Sequence, residues 1–179
     1  MKTAVTSILL AIVLASVVSL PVLAQESSAI TITMTGLDEI SISLDKTDWS
    51  LGFIASDTTH ETDPAIQWCT LTVGGTCNVN TFITGGDAEW ISDPSYKWTL
   101  SNDGTNGVHT YGLWFRISGD TARGYVPITK TQGEFWPPPL GSSLAPGDSS
   151  QFGLRLLSPT YFYSSRQMQT QITISAVAP

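Results

Sequence analysis

Along most of the chain, apolar and polar residues alternate with a period of two. "EISISLD" sets Ile40, Ile42 and Leu44 against serines, and "HTYGLWFRI" puts Tyr111, Leu113, Phe115 and Ile117 on one face. "SQFGLRLL" does the same with Phe152, Leu154 and Leu156, and "QTQITISA" ends with Ile172, Ile174 and Ala176. Such alternation marks strands with one buried face. After residue 24 no stretch keeps a helical period over two turns. Turn chemistry at "TGLD", "VGGT", "TGGD", "SNDGTNG", "SGDTARG", "WPPPLG" and "APGD" separates the runs. The pattern predicts an all-β fold of about eight or nine strands. It is expected to be a single antiparallel β-sandwich of the immunoglobulin-like or jelly-roll kind.

The first 24 residues follow a different rule. A lone Lys2, an apolar run from Ile8, and Val22 and Ala24 at the spacing a signal peptidase accepts predict a signal peptide over residues 1–24. Cleavage after Ala24 leaves one β-sandwich domain over residues 25–179, secreted or held at the cell surface. No later apolar segment is long enough to span a bilayer, so no membrane partner is expected once the signal is gone.

The stretch that follows, "ITITMTG", alternates Ile30, Ile32 and Met34 with threonines. It reads as a strand with two fates. Through "TGLDE" it can fold back on residues 40–44 as a hairpin. With Gly36 as a hinge it can instead swing out and be donated to the edge of a neighbouring copy.

Composition narrows the partners. Loss of Lys2 with the signal leaves 7 basic against 15 acidic residues, a balance of −8, which repels nucleic acid and anionic membranes. Cys69 and Cys77 flank "TLTVGGT", read as a tight hairpin that brings both sulfurs to one side. In an oxidising compartment that predicts a disulfide worth about 2–3 kcal/mol. His60 and His109 are the only histidines and neither stands at ligand spacing from the cysteines, so no metal and no cofactor are expected.

Catalytic signatures are missing: there is no Gly-x-Ser-x-Gly, no His-Glu-x-x-His and no Asp-rich calcium loop. The close carboxylates Asp45/Asp48 and Asp87/Glu89 read as surface turns; Asn102, Asp103 and Asn106 are what any tight turn prefers, with weak Ca²⁺ binding as the alternative. A non-enzyme is expected. The more telling signal is aromatic residues out of phase with the core. Trp114 shares its face with Gly112 and Arg116, Trp68 and Phe82 stand out of phase with their neighbours, and Phe135-Trp136 precede three prolines. These residues are read as a subunit interface or as a platform for stacking sugar rings. The alternative is that bulges or a covering loop return them to the interior.

"LAPGDSSQFGLRLLSP" followed by "MQTQITISA" resembles the closing half of many secreted immunoglobulin-like surface domains. With its signal peptide, immediate N-terminal strand and all-β body, the chain is similar to TasA and the archaeal bundling-pilus subunits. That resemblance implies an exported jelly roll that polymerises by lending its first strand. Trp49-Ser50-Leu51 and Trp98-Thr99-Leu100 are similar to the paired motifs of the WxL cell-wall-binding family. The reading is thus a non-enzymatic structural or adhesive surface or filament protein, self-associating or binding other surface proteins. The alternative is a carbohydrate-binding module using exposed aromatics, with glycans as partners.

Overall fold

The alternating runs are rich in Ile, Val, Thr and aromatic residues, whose side chains suit a pleated, half-buried surface. The computed structural model describes residues 38–136, 143–163 and 166–179. Twelve strands lie among them: β1 (Ile40–Leu44), β2 (Thr59–Glu61), β3 (Cys69–Gly75), β4 (Asn80–Gly85), β5 (Ala88–Trp90), β6 (Asp93–Leu100), β7 (Thr110–Ile117), β8 (Val126–Pro127), β9 (Gly133–Glu134), β10 (Ser149–Leu157), β11 (Met168–Gln169) and β12 (Ile172–Val177). The number exceeds the expected eight or nine because β2, β5, β8, β9 and β11 are two or three residues long, too short for a period to register.

The fold is an all-β sandwich. Its larger sheet runs β1-β3-β10-β7-β6-β5-β11, with β2 beside β10 and β8 beside β7, and its smaller sheet runs β12-β4-β9. Their inner faces meet in one core, where Ile83 of β4 joins Leu71 of β3, Leu100 of β6, Tyr111, Leu113, Phe115 and Ile117 of β7, and Phe152 and Leu156 of β10. All of these are buried, as the period-two pattern requires.

Two local expectations are corrected. The pairing is antiparallel except between β6 and β7, where Thr99 and Leu100 run parallel to Thr110 and Tyr111. The cause is the intervening loop, which folds on itself: Gly107 and Thr110 exchange backbone hydrogen bonds of 3.0 and 3.2 Å. The chain therefore re-enters beside β6 in the same direction.

The second correction concerns the cysteines. "TLTVGGT" is no hairpin, because β3 runs straight to Gly75 and β4 belongs to the other sheet. Gly75 takes φ +85° against the Glu39 carbonyl, a position closed to any Cβ. Cys69 opens β3 and Cys77 lies beyond its far end, so about 20 Å of extended strand separates them. A disulfide needs Cα atoms within about 7 Å. Both thiols are free. Cys69 is buried, its Sγ donating to the Lys46 carbonyl at 3.2 Å, and burial above all pushes its pKa up.

β1 ends the larger sheet among the described residues. Its register pairs Ile42 with Val73 and Leu44 with Leu71, both core residues, so Ile40, Ile42 and Leu44 face the core side. Yet Ile40 is 41% and Leu44 36% exposed. The second layer reaches β1 through β12 and covers Ile42 more fully than either neighbour.

Candidate functional site

Three of the aromatic and basic residues singled out by phase come to the outer face of the larger sheet. Trp114 stands opposite Arg155 across β7 and β10, and Arg116 stands opposite Gly153 in the next row of that face. Glycine paves this surface. A Cβ at Gly153 would collide with the Trp68 indole, and one at Gly112 would fall on the Gly104 carbonyl and 2.6 Å from Trp114 Cη2. Gly104 in turn lies against the Trp114 ring, with its own Cβ position 2.5 Å from Nε1, Cε2 and Cζ2. Trp68 and Trp114 are therefore half-buried, the first donating from Nε1 to the Thr62 carbonyl at 3.3 Å and the second lying under the 101–109 loop.

Around them the face is polar. Arg155 stacks at 3.7 Å on the Tyr125 ring and donates from Nε to Glu61 Oε1 at 2.7 Å, while the Tyr125 hydroxyl donates to Glu61 Oε2 at 3.2 Å. Burial, then the Glu61 charge, raises the Tyr125 pKa. Arg116 is exposed.

The other singled-out residues go elsewhere. Phe82 is half-buried on the small sheet, opposite Ser175 and Glu134. Phe135 and Trp136 are corrected to the core: Phe135 is fully buried against Phe115 and Phe152 with ring centroids 5.2 and 5.0 Å away, and Trp136 packs partly buried beside it. Residues ahead of prolines carry no strand phase, so their direction was not readable. Trp98 is buried in the core and Trp49 packs against it. Ile30, Ile32 and Met34 lie outside the described residues.

Sequence reasoning missed a second cluster, at the end of the sandwich where β10 runs out. Tyr96 of β6, His109 of the 101–109 loop, and Tyr161 and Tyr163 beyond β10 surround one another with ring centroids 5.6–6.1 Å apart. The Tyr96 hydroxyl and His109 Nδ1 are 3.1 Å apart. Arg166 lays its guanidinium over Tyr96 at 3.8 Å, Trp90 at 4.7 Å and Tyr163 at 5.1 Å. The loops are tied together by His109 N–H donating to the Tyr161 carbonyl at 3.2 Å and Thr160 N–H to the Gly107 carbonyl at 3.0 Å. A signal existed: in "TYFYSS" Phe162 turns inward onto Trp98 at 4.8 Å, while Tyr161 and Tyr163 stay 54% and 53% exposed.

The carboxylates are engaged by the protein's own donors. Asp45 accepts from Thr70 N–H at 2.6 Å, which chiefly lowers its pKa. Burial is the largest single influence on Asp87 and raises its pKa, but the Lys130 pairing and the Leu100 N–H together outweigh it and leave the pKa lowered; Glu89 pairs with Lys97. Asp103 accepts from the Ser101 hydroxyl at 2.5 Å and from the Thr105 hydroxyl and N–H at 2.7 and 3.0 Å, and its pKa falls to about 2. Asn106 turns its amide to Asp57 and the Ser158 carbonyl, so Asp103 and Asn106 close the loop separately rather than converge. Among the described residues no three His, Cys, Asp or Glu side chains are grouped to hold a metal. Comparison of the chain with family models, with curated proteins and with solved structures gave no match in any of the three.

Proposed function

We propose that the chain is a non-enzymatic, exported component of a cell surface or extracellular filament that assembles by adding a strand from one copy to the open edge of the next. The observation that carries this reading is the mismatch at β1, where Ile40 and Leu44 face the core by register yet remain 41% and 36% exposed. An alternating apolar strand laid along β1 would cover these side chains and pair with the edge backbone. Ile30, Ile32 and Met34, just ahead of β1 in sequence, have that alternation. Supplied by a neighbour, the strand makes a head-to-tail contact that propagates; supplied by its own chain, it makes a hairpin and a closed monomer. The resemblance to exported filament subunits favours the first.

Deletion of residues 25–35 from the mature chain separates the two. Electron microscopy should show fibres of the full mature chain at rising concentration. The truncated protein should stay folded and dispersed, and a peptide of residues 28–36 should bind it. Truncated protein that unfolds, with a full mature chain that stays monomeric throughout, would return the stretch to its own sandwich.

A further inference from the structure

We infer that the aromatic cluster at the end of the sandwich, formed by Tyr96, His109, Tyr161, Tyr163 and Arg166, is a binding site for a neutral, soluble polysaccharide chain. The inference stands apart from strand donation, because these residues belong to the loops beyond β6 and β10, not to the β1 edge.

Three features point to a sugar. The first is exposed ring surface with no described cover: Tyr161 and Tyr163 are each more than half exposed, and Val108 beside them is 65% exposed. Aromatic faces at a wet boundary suit ligands with one apolar and one polar side, and a pyranose ring, with C–H groups on its face and hydroxyls at its rim, is such a ligand.

The second is unspent hydrogen-bonding capacity around those rings. Arg166 is held by three aromatic rings rather than by a carboxylate. Among the described residues no carboxylate lies within 4 Å of it and no protein group accepts from its five N–H donors; Lys46, Lys97, Arg123, Lys130 and Arg155 are ion-paired, and Arg116, also without an ion pair, is exposed on the outer face rather than held by rings. Stacking fixes the guanidinium plane and leaves its N–H edge to address paired hydroxyls. The hydroxyls of Tyr161 and Tyr163 and the Nε2 of His109 likewise have no described partner.

The third is stored strain. His109 has φ +57°, the left-handed region that a side chain with a Cβ seldom adopts. Such outliers persist where the surroundings over-determine them. This one brings the imidazole beside Tyr96, Tyr161 and Tyr163 and leaves the ring half-exposed.

Charge and shape narrow the class. The mature balance of −8, with Asp93 acting electrostatically on Arg166, disfavours polyanions such as nucleic acid or polyuronates. The rings are inclined, Tyr161 to Tyr163 by 70° and Tyr96 to Tyr163 by 56°, so they form a folded wall rather than a flat shelf. A folded wall fits a chain whose successive sugars are turned relative to one another, not the flat face of a crystalline polymer.

Native affinity electrophoresis of the mature chain tests this with galactomannan, xyloglucan, mixed-linkage β-glucan and xylan as neutral soluble probes, polygalacturonate as the anionic one, and crystalline cellulose in a pull-down. At least one neutral soluble probe should retard the protein. The double variant Tyr161→Ala/Tyr163→Ala should weaken that retardation about tenfold or more with an unchanged melting temperature. Should the double variant melt early, His109→Gly serves instead, since glycine keeps the left-handed backbone and removes only the ring; it too should weaken binding while the fold holds. No retardation by any neutral probe, or retardation indifferent to these substitutions, overturns the inference. So does binding confined to polygalacturonate or to crystalline cellulose, and so does loss of self-association in the double variant without any polysaccharide binding, which would make the cluster a protein interface.

Discussion

Strands β1 and β7 carry the same period-two message and meet different fates. In β7 the inward set Tyr111, Leu113, Phe115 and Ile117 is 0–1% exposed, covered by Ile83 and Phe135 from across the sandwich and by Ile128, which follows β8 beside it. In β1 the equivalent set reaches the same side of the same sheet, and only Ile42 finds cover. Alternation therefore states which face a strand offers, and the facing layer decides whether the offer is taken up. Among the described residues, the difference locates the incompletely covered part of the sandwich at the β1 edge.

The largest expected effect tests that contrast directly. Leu113→Ala should cost about 2–5 kcal/mol, the usual range for emptying a packed core site. Leu44→Ala should cost about 1 kcal/mol or less in dispersed protein, because much of its surface is already wet. Urea unfolding of both variants in a chain of residues 25–179 measures the gap. Equal large losses would mean that the edge is already covered within the chain, which favours the hairpin over donation.

A second contrast lies between the two faces of β7. Its outer face is built on glycines that let indoles and a loop approach the backbone, so Gly112→Ala should be disruptive even though it adds one methyl group. The added Cβ would strike the Gly104 carbonyl, backbone that cannot rotate away, and a loss of about 1–3 kcal/mol is expected. Gly133→Ala is the control, since its Cβ would meet only the Ile83 carbonyl at an ordinary 4.0 Å. Thermal unfolding of the pair checks it. If the two variants melt together, the 101–109 loop is looser on Trp114 than the structure has it.

How far the sequence carried depends on range. Strands long enough for a period, such as β1, β7 and β10, were legible to within a residue or two, because burial of one face imposes alternation. The cysteine hairpin was misread because Gly-Gly permits a turn without requiring one, and only sheet membership, a long-range property, shows that β3 runs on. Phe135 and Trp136 fell on the wrong side for want of any phase beside the prolines. The outer-face position of Trp114 followed from phase alone, but its covering by Gly104 depended on a loop whose path no local pattern encodes. The Tyr161/Tyr163 cluster is assembled from loops far apart in sequence, and its only local trace is the alternation around Phe162.

The smallest effect concerns the loop that links the core and outer faces. Asp103 has an ordinary value of 3.8 and a folded value of about 2, held down chiefly by the Ser101 hydroxyl and then by the Thr105 hydroxyl and N–H. A depressed carboxylate pKa means that the folded loop favours the ionised form, so its contribution is present above about pH 4 and is lost as the pH falls from there toward 2. Asp103 is exposed, so the effect on global stability should be slight. The local readout is better, because Gly104 next in the chain lies on the Trp114 ring. The fluorescence difference between a chain of residues 25–179 and its Trp114→Phe variant should shift toward a wetter indole across that pH window. In the Asp103→Asn background, where nothing titrates at this position, that step should vanish, while changes caused by other carboxylates such as Asp45 and Asp87 persist. A step that survives Asp103→Asn would assign the transition to another carboxylate and detach the loop from the packing of Trp114.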